Sequence, residues 1–199
     1  METRRDVYKD ALRILLKEFS TKHTVSSLAK ELKISRTGTW KLTKKLEEIK
    51  YLSLLSIGTG KTSTCLIDLN WDNIIVEKAL ALYLTEEAVK QQRWQINFNE
   101  LEAVTDFVIL YGSVLQFPRQ ANDIDILGIT SKNNFVNVHN IIDKLQKTQS
   151  KKIHALQFTD NEFKAELKGQ NRAFIDAMKK GVVLFGQENF VKFMKNLAK

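Results

Sequence analysis

Gly112-Ser113, followed after nine residues by Asp123-Ile124-Asp125, is the stretch that decides the fold of the second half of this 199-residue chain. Side chains alternate between the two faces of a β-strand, so Asp123 and Asp125 share one face while Ile124 points to the core. Short apolar runs rich in β-forming residues precede Gly112 and follow Asp123. The stretch therefore predicts one strand that ends at Gly112-Ser113 and a later strand that carries both aspartates.

The two aspartates are candidate metal ligands. Carboxylates on one strand face repel each other unless a divalent cation lies between them, and such oxygen donors suit Mg²⁺ (or Mn²⁺) bound jointly with substrate phosphates. Gly112-Ser113 lets a backbone and a hydroxyl approach a phosphate without interference from a Cβ atom. In a two-metal arrangement the cations orient an attacking hydroxyl and stabilise a pyrophosphate leaving group. The structural alternative is a pair of strand-end carboxylates that cap a loop.

From Thr105 onward, strand-like and helix-like patterns alternate, which predicts a small α/β domain. We expect a mixed sheet, but the pattern does not give the order of its strands. The predicted strands are 107–111, 124–129, 152–159 and 182–185, and the predicted helices are 135–147, 161–168, 170–179 and 188–198.

The N-terminal third predicts a winged helix-turn-helix. Apolar residues recur at three- and four-residue steps over 5–19, 24–32 and 36–50, which indicates three amphipathic helices, the last capped by Ser35. Two β-prone runs, 51–56 and 62–69, then flank a glycine-containing hairpin loop. The fold class predicted for the whole chain is α+β with two domains. We place the winged helix at 1–70, a helical connector at 71–104 and the α/β domain at 105–199.

The net charge of +8 is unevenly distributed. Residues 1–70 hold 14 Lys and Arg against 8 Asp and Glu, whereas residues 71–150 hold 7 against 10. A basic N-terminal region is typical of binding to a phosphate backbone, and this favours DNA as a partner. The alternative is a solvated lysine-rich surface.

The third predicted helix would be the recognition helix, since a helix-turn-helix contacts bases with the first turns of that helix. Lysines there and on the wing suit phosphate contacts, which position a protein without specifying sequence. Winged helices also mediate protein contacts, and they often bind paired half-sites as homodimers, which we expect here as well. The predicted DNA-binding residues are Arg36, Thr37, Thr39, Lys41, Lys44, Lys45 and Lys61.

Leu110-Tyr111-Gly112-Ser113 and Asp123-Ile124-Asp125-Ile126-Leu127 resemble the signature of the minimal nucleotidyltransferase superfamily, also called polymerase-beta-like. The resemblance covers roughly residues 105–186, and the winged helix ahead of it resembles archaeal and bacterial proteins with that fusion. It implies a nucleotidyltransferase-like domain in which Asp123 and Asp125 bind Mg²⁺ or Mn²⁺. It further implies that Gly112 and Ser113 hold the phosphates of a nucleoside triphosphate.

The sequence departs from this family at the third carboxylate, which members place on a later strand. The matching stretch, 151–158, contains no acid, and His154 occupies that place. Histidine can act as a base, but it is a poorer Mg²⁺ ligand than a carboxylate. We therefore predict His154 as a catalytic residue beside the aspartates, with Asp160 and Glu162 as weaker candidates for the missing acid. The distance from His154 to the aspartate pair tests this prediction.

Two functions follow from these patterns. The first is a DNA-binding protein whose second domain binds a nucleoside triphosphate and transfers a nucleotidyl group to a hydroxyl of a protein, nucleic acid or small molecule. The alternative is a catalytically inactive, nucleotide-sensing transcription regulator. A single cysteine, Cys65, and the lack of a signal-like start or an eighteen-residue apolar run indicate a cytoplasmic protein without a membrane partner.

Overall fold

The computed structural model describes residues 6–58 and 63–198. Contacts divide the chain into two compact units, one that ends at Tyr83 and one that begins at Leu84. The prediction of an α+β protein is confirmed, because helices accompany a three-stranded and a four-stranded sheet. The division falls within the predicted connector 71–104, and the predicted domain limits at 70 and 105 stay predictions.

Up to Leu69, the N-terminal unit contains three helices, a short strand and an antiparallel hairpin. Its elements are α1 (Val7–Lys17), β1 (His23–Thr24), α2 (Val25–Leu32), α3 (Arg36–Glu48), β2 (Leu52–Ile57) and β3 (Thr64–Leu69). The strands are antiparallel in the order β1-β3-β2. Ser35 caps α3 as predicted, since its hydroxyl accepts a hydrogen bond from the Gly38 amide at 3.0 Å. Strand β1 was not predicted, because two residues are too few to show a periodicity.

Two further helices follow the hairpin, α4 (Ile74–Val89) and α5 (Gln92–Phe98). A short 3-10 turn, Asn99–Leu101, leads from them toward the second sheet. This agrees with the helical pattern predicted from Trp71 onward. Among the residues that the structure describes, no helix is both long and apolar enough to cross a bilayer.

The second sheet is mixed. Its unit contains β4 (Phe107–Tyr111), β5 (Asp123–Ile129), α6 (Phe135–Gln146), β6 (Lys152–Phe158), α7 (Asp160–Lys168), α8 (Arg172–Lys180), β7 (Val182–Phe185) and α9 (Gln187–Leu197). The strand order is β6-β5-β4-β7. Strand β5 pairs in parallel with β6 and antiparallel with β4, and β4 also pairs antiparallel with β7. Because β5 and β6 are parallel, their N-terminal ends lie side by side at the same edge of the sheet.

Apolar side chains cover both faces of this sheet. On one face, Ile124 and Ile126 of β5 belong to a buried cluster with Val138 and Ile142 of α6. On the other face, Phe107 makes edge contacts with two phenylalanine rings of α9. Ile124 is fully buried, which fixes the orientation of β5 and leaves the aspartates on either side of it pointing to the opposite face.

This anchoring is testable by truncation. We expect Ile124→Ala to lower the free energy of unfolding by about 2–5 kcal/mol, because it leaves a cavity in the cluster under the site. Urea denaturation followed by circular dichroism measures the change. The matched control is Val136→Ala on α6, whose side chain is 67% exposed, and which should change stability by less than about 0.5 kcal/mol. Equal midpoints for the two variants would contradict the proposed anchoring.

Candidate functional site

Strand pairing brings the predicted site residues together at one edge of the mixed sheet. Asp125 of β5 pairs with His154 of β6 on one side and with Tyr111 of β4 on the other. Paired residues of neighbouring strands point to the same face, so the three side chains form a row across the sheet. Asp123 lies two residues before Asp125 and therefore points to that face as well.

His154 contacts both aspartates. Its Nδ1 atom lies 3.5 Å from Asp123 Oδ2 and 3.5 Å from Asp125 Oδ1. The imidazole is 45% exposed, so it points along the aspartate face rather than into the core. Among residues 6–58 and 63–198, Asp123, Asp125 and His154 form a group of three potential metal ligands. One donor atom of each lies within 4.8 Å of a donor atom of the other two. The structure thus places the His154 imidazole against both carboxylates, and its functional role stays a prediction.

The electrostatics of this row favour a positive partner. Burial raises the pKa of Asp125, and the neighbouring charge of Asp123 raises it further, while His154 acts in the opposite direction. Burial likewise raises the pKa of Tyr111, with a smaller contribution from the charge of Asp125. The charge of Asp123 thus destabilises the charged form of Asp125, and a cation beside the two carboxylates would relieve this repulsion.

Gly112 is required at its position for two separate reasons. Its backbone has φ 81° and ψ −164°, a conformation that is essentially restricted to glycine. In addition, a Cβ atom there would lie 2.2 Å from Asp125 Oδ2, well inside contact distance. Ser113 follows at the start of a 3-10 turn and is exposed. The glycine thus lets the chain pass directly against the Asp125 carboxylate.

A cleft adjoins this turn. Its volume is about 300 Å³, and its walls are residues 111–116 on one side and one face of α8, from Ala173 to Lys180, on the other. Lys180 lines the cleft and forms an ion pair with Asp176, with 2.9 Å between Nζ and Oδ2. Sequence reasoning missed both residues, because only the strand order shows that the end of α8 faces Gly112.

Neither weaker candidate for the missing acid joins the aspartate pair. Asp160 forms an ion pair with Lys164 at 2.5 Å. Glu162 accepts hydrogen bonds from the backbone and hydroxyl of Thr159 in a capping box of α7, and these bonds lower the pKa of Glu162. Both carboxylates therefore interact with residues at the start of α7 rather than with the aspartate pair.

The predicted DNA-binding residues lie on α3, apart from Lys61, which falls outside the described residues. Arg36, Thr37, Lys41 and Lys45 are exposed. Lys44 already contacts two side chains of α3: its Nζ lies 2.7 Å from Glu47 Oε2 and 5.0 Å from the centre of the Trp40 ring.

Thr39 does not agree with its predicted role. Its side chain is fully buried, and its hydroxyl donates a hydrogen bond to the Ser35 carbonyl at 3.1 Å. A base contact needs an exposed side chain, so Thr39 belongs to the inner face of α3 rather than to a DNA-binding surface.

A groove lies beside the exposed start of α3. It has a volume of about 670 Å³ and runs between α3, the start of α2 and the hairpin. Arg36, Thr37 and Trp40 form one wall, and hydroxyl side chains dominate the rest, among them Ser26 and Thr64. Trp40 is 41% exposed. The groove therefore combines a cation, hydroxyl donors and an aromatic face.

Comparisons with known proteins assign no family. No family model matches the sequence, and no curated protein matches it. Among solved structures, a mutant of Lactococcus lactis ZitR matches with 20% sequence identity over 51% of this chain and 70% of the ZitR chain, with a TM-score of 0.35. At this identity and TM-score the likeness assigns no function.

The dual requirement for Gly112 leads to a prediction. Gly112→Ala should destabilise the protein by about 1–3 kcal/mol, because alanine strains the backbone conformation and its Cβ displaces the Asp125 carboxylate. The control is Gly128→Ala on the same strand as Asp125, where the nearest atom to an added Cβ, Thr105 Cγ2, lies at an ordinary 3.7 Å. Thermal unfolding of both variants measures the difference. If they unfold at the same temperature, the close approach at Gly112 has no structural importance.

Proposed function

We propose that this chain is a DNA-binding winged-helix protein whose C-terminal unit binds a divalent cation together with a nucleoside triphosphate. The observation that carries the proposal is the shared face of Asp123 and Asp125 beside the Gly112-Ser113 turn. The two carboxylates supply the oxygen donors that Mg²⁺ and Mn²⁺ prefer when they bind jointly with phosphates.

The surroundings of the aspartates support a nucleotide as the second ligand. The Gly112 turn passes directly against the Asp125 carboxylate, and Ser113, the next residue, is exposed, so a phosphate bound at Ser113 would lie close to the carboxylates. Lys180 lines the adjoining cleft, where it is paired with Asp176, and a phosphate would compete with that carboxylate for its ammonium group. A triphosphate placed there would bridge the cation and the cleft, because its oxygens are ligands for both.

Nucleotidyl transfer is a second candidate activity, favoured by the 3.5 Å contacts of His154. In such a reaction an acceptor hydroxyl oxygen attacks the α-phosphorus, the bond from that phosphorus to pyrophosphate breaks, and the hydroxyl proton passes to the imidazole. Against it, the described residues place no third carboxylate in the group formed by the aspartates and His154. We therefore favour nucleotide binding and sensing over turnover.

The N-terminal unit supports the DNA-binding part of the proposal. Its three helices, antiparallel hairpin and exposed basic start of α3 have the order of elements expected of a winged helix. The excess positive charge of residues 1–70 would favour the phosphate backbone. Exposed Arg36 and Thr37, at the first turn of α3, are placed for base contacts. Arg36 is also placed for phosphate contacts, as are Lys41 and Lys45.

Nucleotide binding should depend on the aspartates. We expect the double variant Asp123→Asn/Asp125→Asn to bind a labelled nucleoside triphosphate at least about tenfold more weakly in Mn²⁺ or Mg²⁺, because the amides no longer hold the cation. Asp143→Asn on α6, an exposed aspartate beside His139, is the control and should bind like wild type. Binding that is unaffected by the double variant, or by removal of the cation, would contradict the proposal. Release of pyrophosphate in the same assay separates transfer from sensing.

DNA binding should be steeply salt-dependent. Replacing Arg36, Lys41 and Lys45 with glutamine should reduce the slope of log K against log salt by about 0.9 for each phosphate interaction that the substitutions remove. The measurement is the affinity for a random-sequence duplex over a series of salt concentrations. The control carries the same change at Lys168, Arg172 and Lys192, which are exposed in the C-terminal unit. Equal slopes for the two triple variants would place the DNA contacts elsewhere.

A further inference from the structure

We infer that His154 is the third ligand of the cation site, and that the site therefore selects a transition-metal ion such as Zn²⁺ over Mg²⁺. This inference rests on the proposed cation site and specifies which ion it takes. It assigns the imidazole a binding role, which excludes a role as proton acceptor for the same Nδ1 atom.

The three donor atoms are already gathered. His154 Nδ1 lies 3.5 Å from one oxygen of each aspartate, and one donor atom from each residue falls within 4.8 Å of the other two. A tetrahedral ion with bonds of about 2.0–2.1 Å holds its donors about 3.3–3.4 Å apart. An ion could therefore bind between His154 and the aspartates after only small movements of their side chains.

The backbone holds His154 in this position. Parallel pairing sets it directly beside Asp125, and its neighbour Ile153 is buried in the core cluster. The Ile153 amide also donates a hydrogen bond to Gln146 Oε1 at 2.8 Å, which links the start of β6 to the end of α6. The position of the imidazole is thus set by the sheet and by α6, and not by the aspartates alone.

The donor set determines the preferred ion. Imidazole suits Zn²⁺ and other late transition metals, whereas Mg²⁺ prefers carboxylate, carbonyl and water oxygens in octahedral geometry. Two carboxylates and one imidazole, half open to solvent, leave a free coordination position for a phosphate oxygen or water. A protonated imidazole that only forms ion pairs with the aspartates would give no such preference.

Metal titrations of the tag-free, full-length protein test the inference. We expect Zn²⁺ to bind at least about a hundredfold more tightly than Mg²⁺. His154→Ala should weaken Zn²⁺ binding at least about tenfold and change Mg²⁺ binding by less than about threefold. His154→Asp should move the preference back toward Mg²⁺, because it restores an all-carboxylate site. His139→Ala, at an exposed histidine on α6, is the control and should bind both ions like wild type.

Nitrogen NMR of the wild-type protein provides a direct readout that needs no variant. Zn²⁺ should shift the His154 Nδ1 resonance, while Mg²⁺ should leave it in place. If Zn²⁺ and Mg²⁺ bind equally and Nδ1 does not respond, the inference is overturned while the cation site stands. If neither ion binds, the proposed cation site itself is wrong.

Discussion

The repulsion between two carboxylates on one strand face is the constraint on which the C-terminal site depends. Strand alternation fixes Asp123 and Asp125 on the same side of β5, and burial of Ile124 between them prevents the strand from rotating to separate them. The cost appears in the raised pKa of Asp125, which burial and the charge of Asp123 both increase. Positive charge nearby would stabilise this arrangement, and it can come from His154, from Lys152, which pairs with Asp123 across the sheet, or from a bound cation.

The rest of the site is arranged around the same carboxylates. Gly112 adopts a conformation that other residues avoid and passes against Asp125 where a Cβ would not fit. Tyr111, one residue earlier, pairs with Asp125 across the sheet. The cleft beside Gly112 then brings Lys180 near the site from a helix far along the chain. A cleft that contains the Lys180–Asp176 ion pair therefore adjoins the acidic pair, and a triphosphate bound there with a cation would take the place of Asp176 as the partner of Lys180.

Much of the fold could be predicted from the sequence because periodicity reports local structure. The strand runs around Gly112 and Asp123, and the Ser35 cap of α3, follow from side-chain alternation and capping chemistry. The order of the strands cannot be predicted in this way, since nothing in a single sequence states which strand lies beside β5. The contact between His154 and the aspartates is a consequence of that order, and only the family resemblance led us to expect it. The approach of α8 to Gly112 depends on the same order and was not expected.

The buried threonine on α3 shows a different limit. In the sequence, the position of Thr39 near the start of the helix groups it with its exposed neighbours. However, Thr39 lies three residues before Leu42 and seven before Leu46, a spacing that places all three on one helix face. All three are buried, so Thr39 belongs to the apolar stripe of the helix despite its hydroxyl. The helical spacing of Thr39 relative to the leucines therefore predicts its burial correctly, whereas its polar side chain suggests exposure.

Anomalous diffraction from crystals grown with Zn²⁺ or Mn²⁺ and a non-hydrolysable nucleoside triphosphate tests the central claim most directly. We expect an anomalous peak between Asp123, Asp125 and His154, with phosphate density against the Gly112-Ser113 turn. A metal bound elsewhere, or an empty aspartate face at saturating metal and nucleotide, would contradict it.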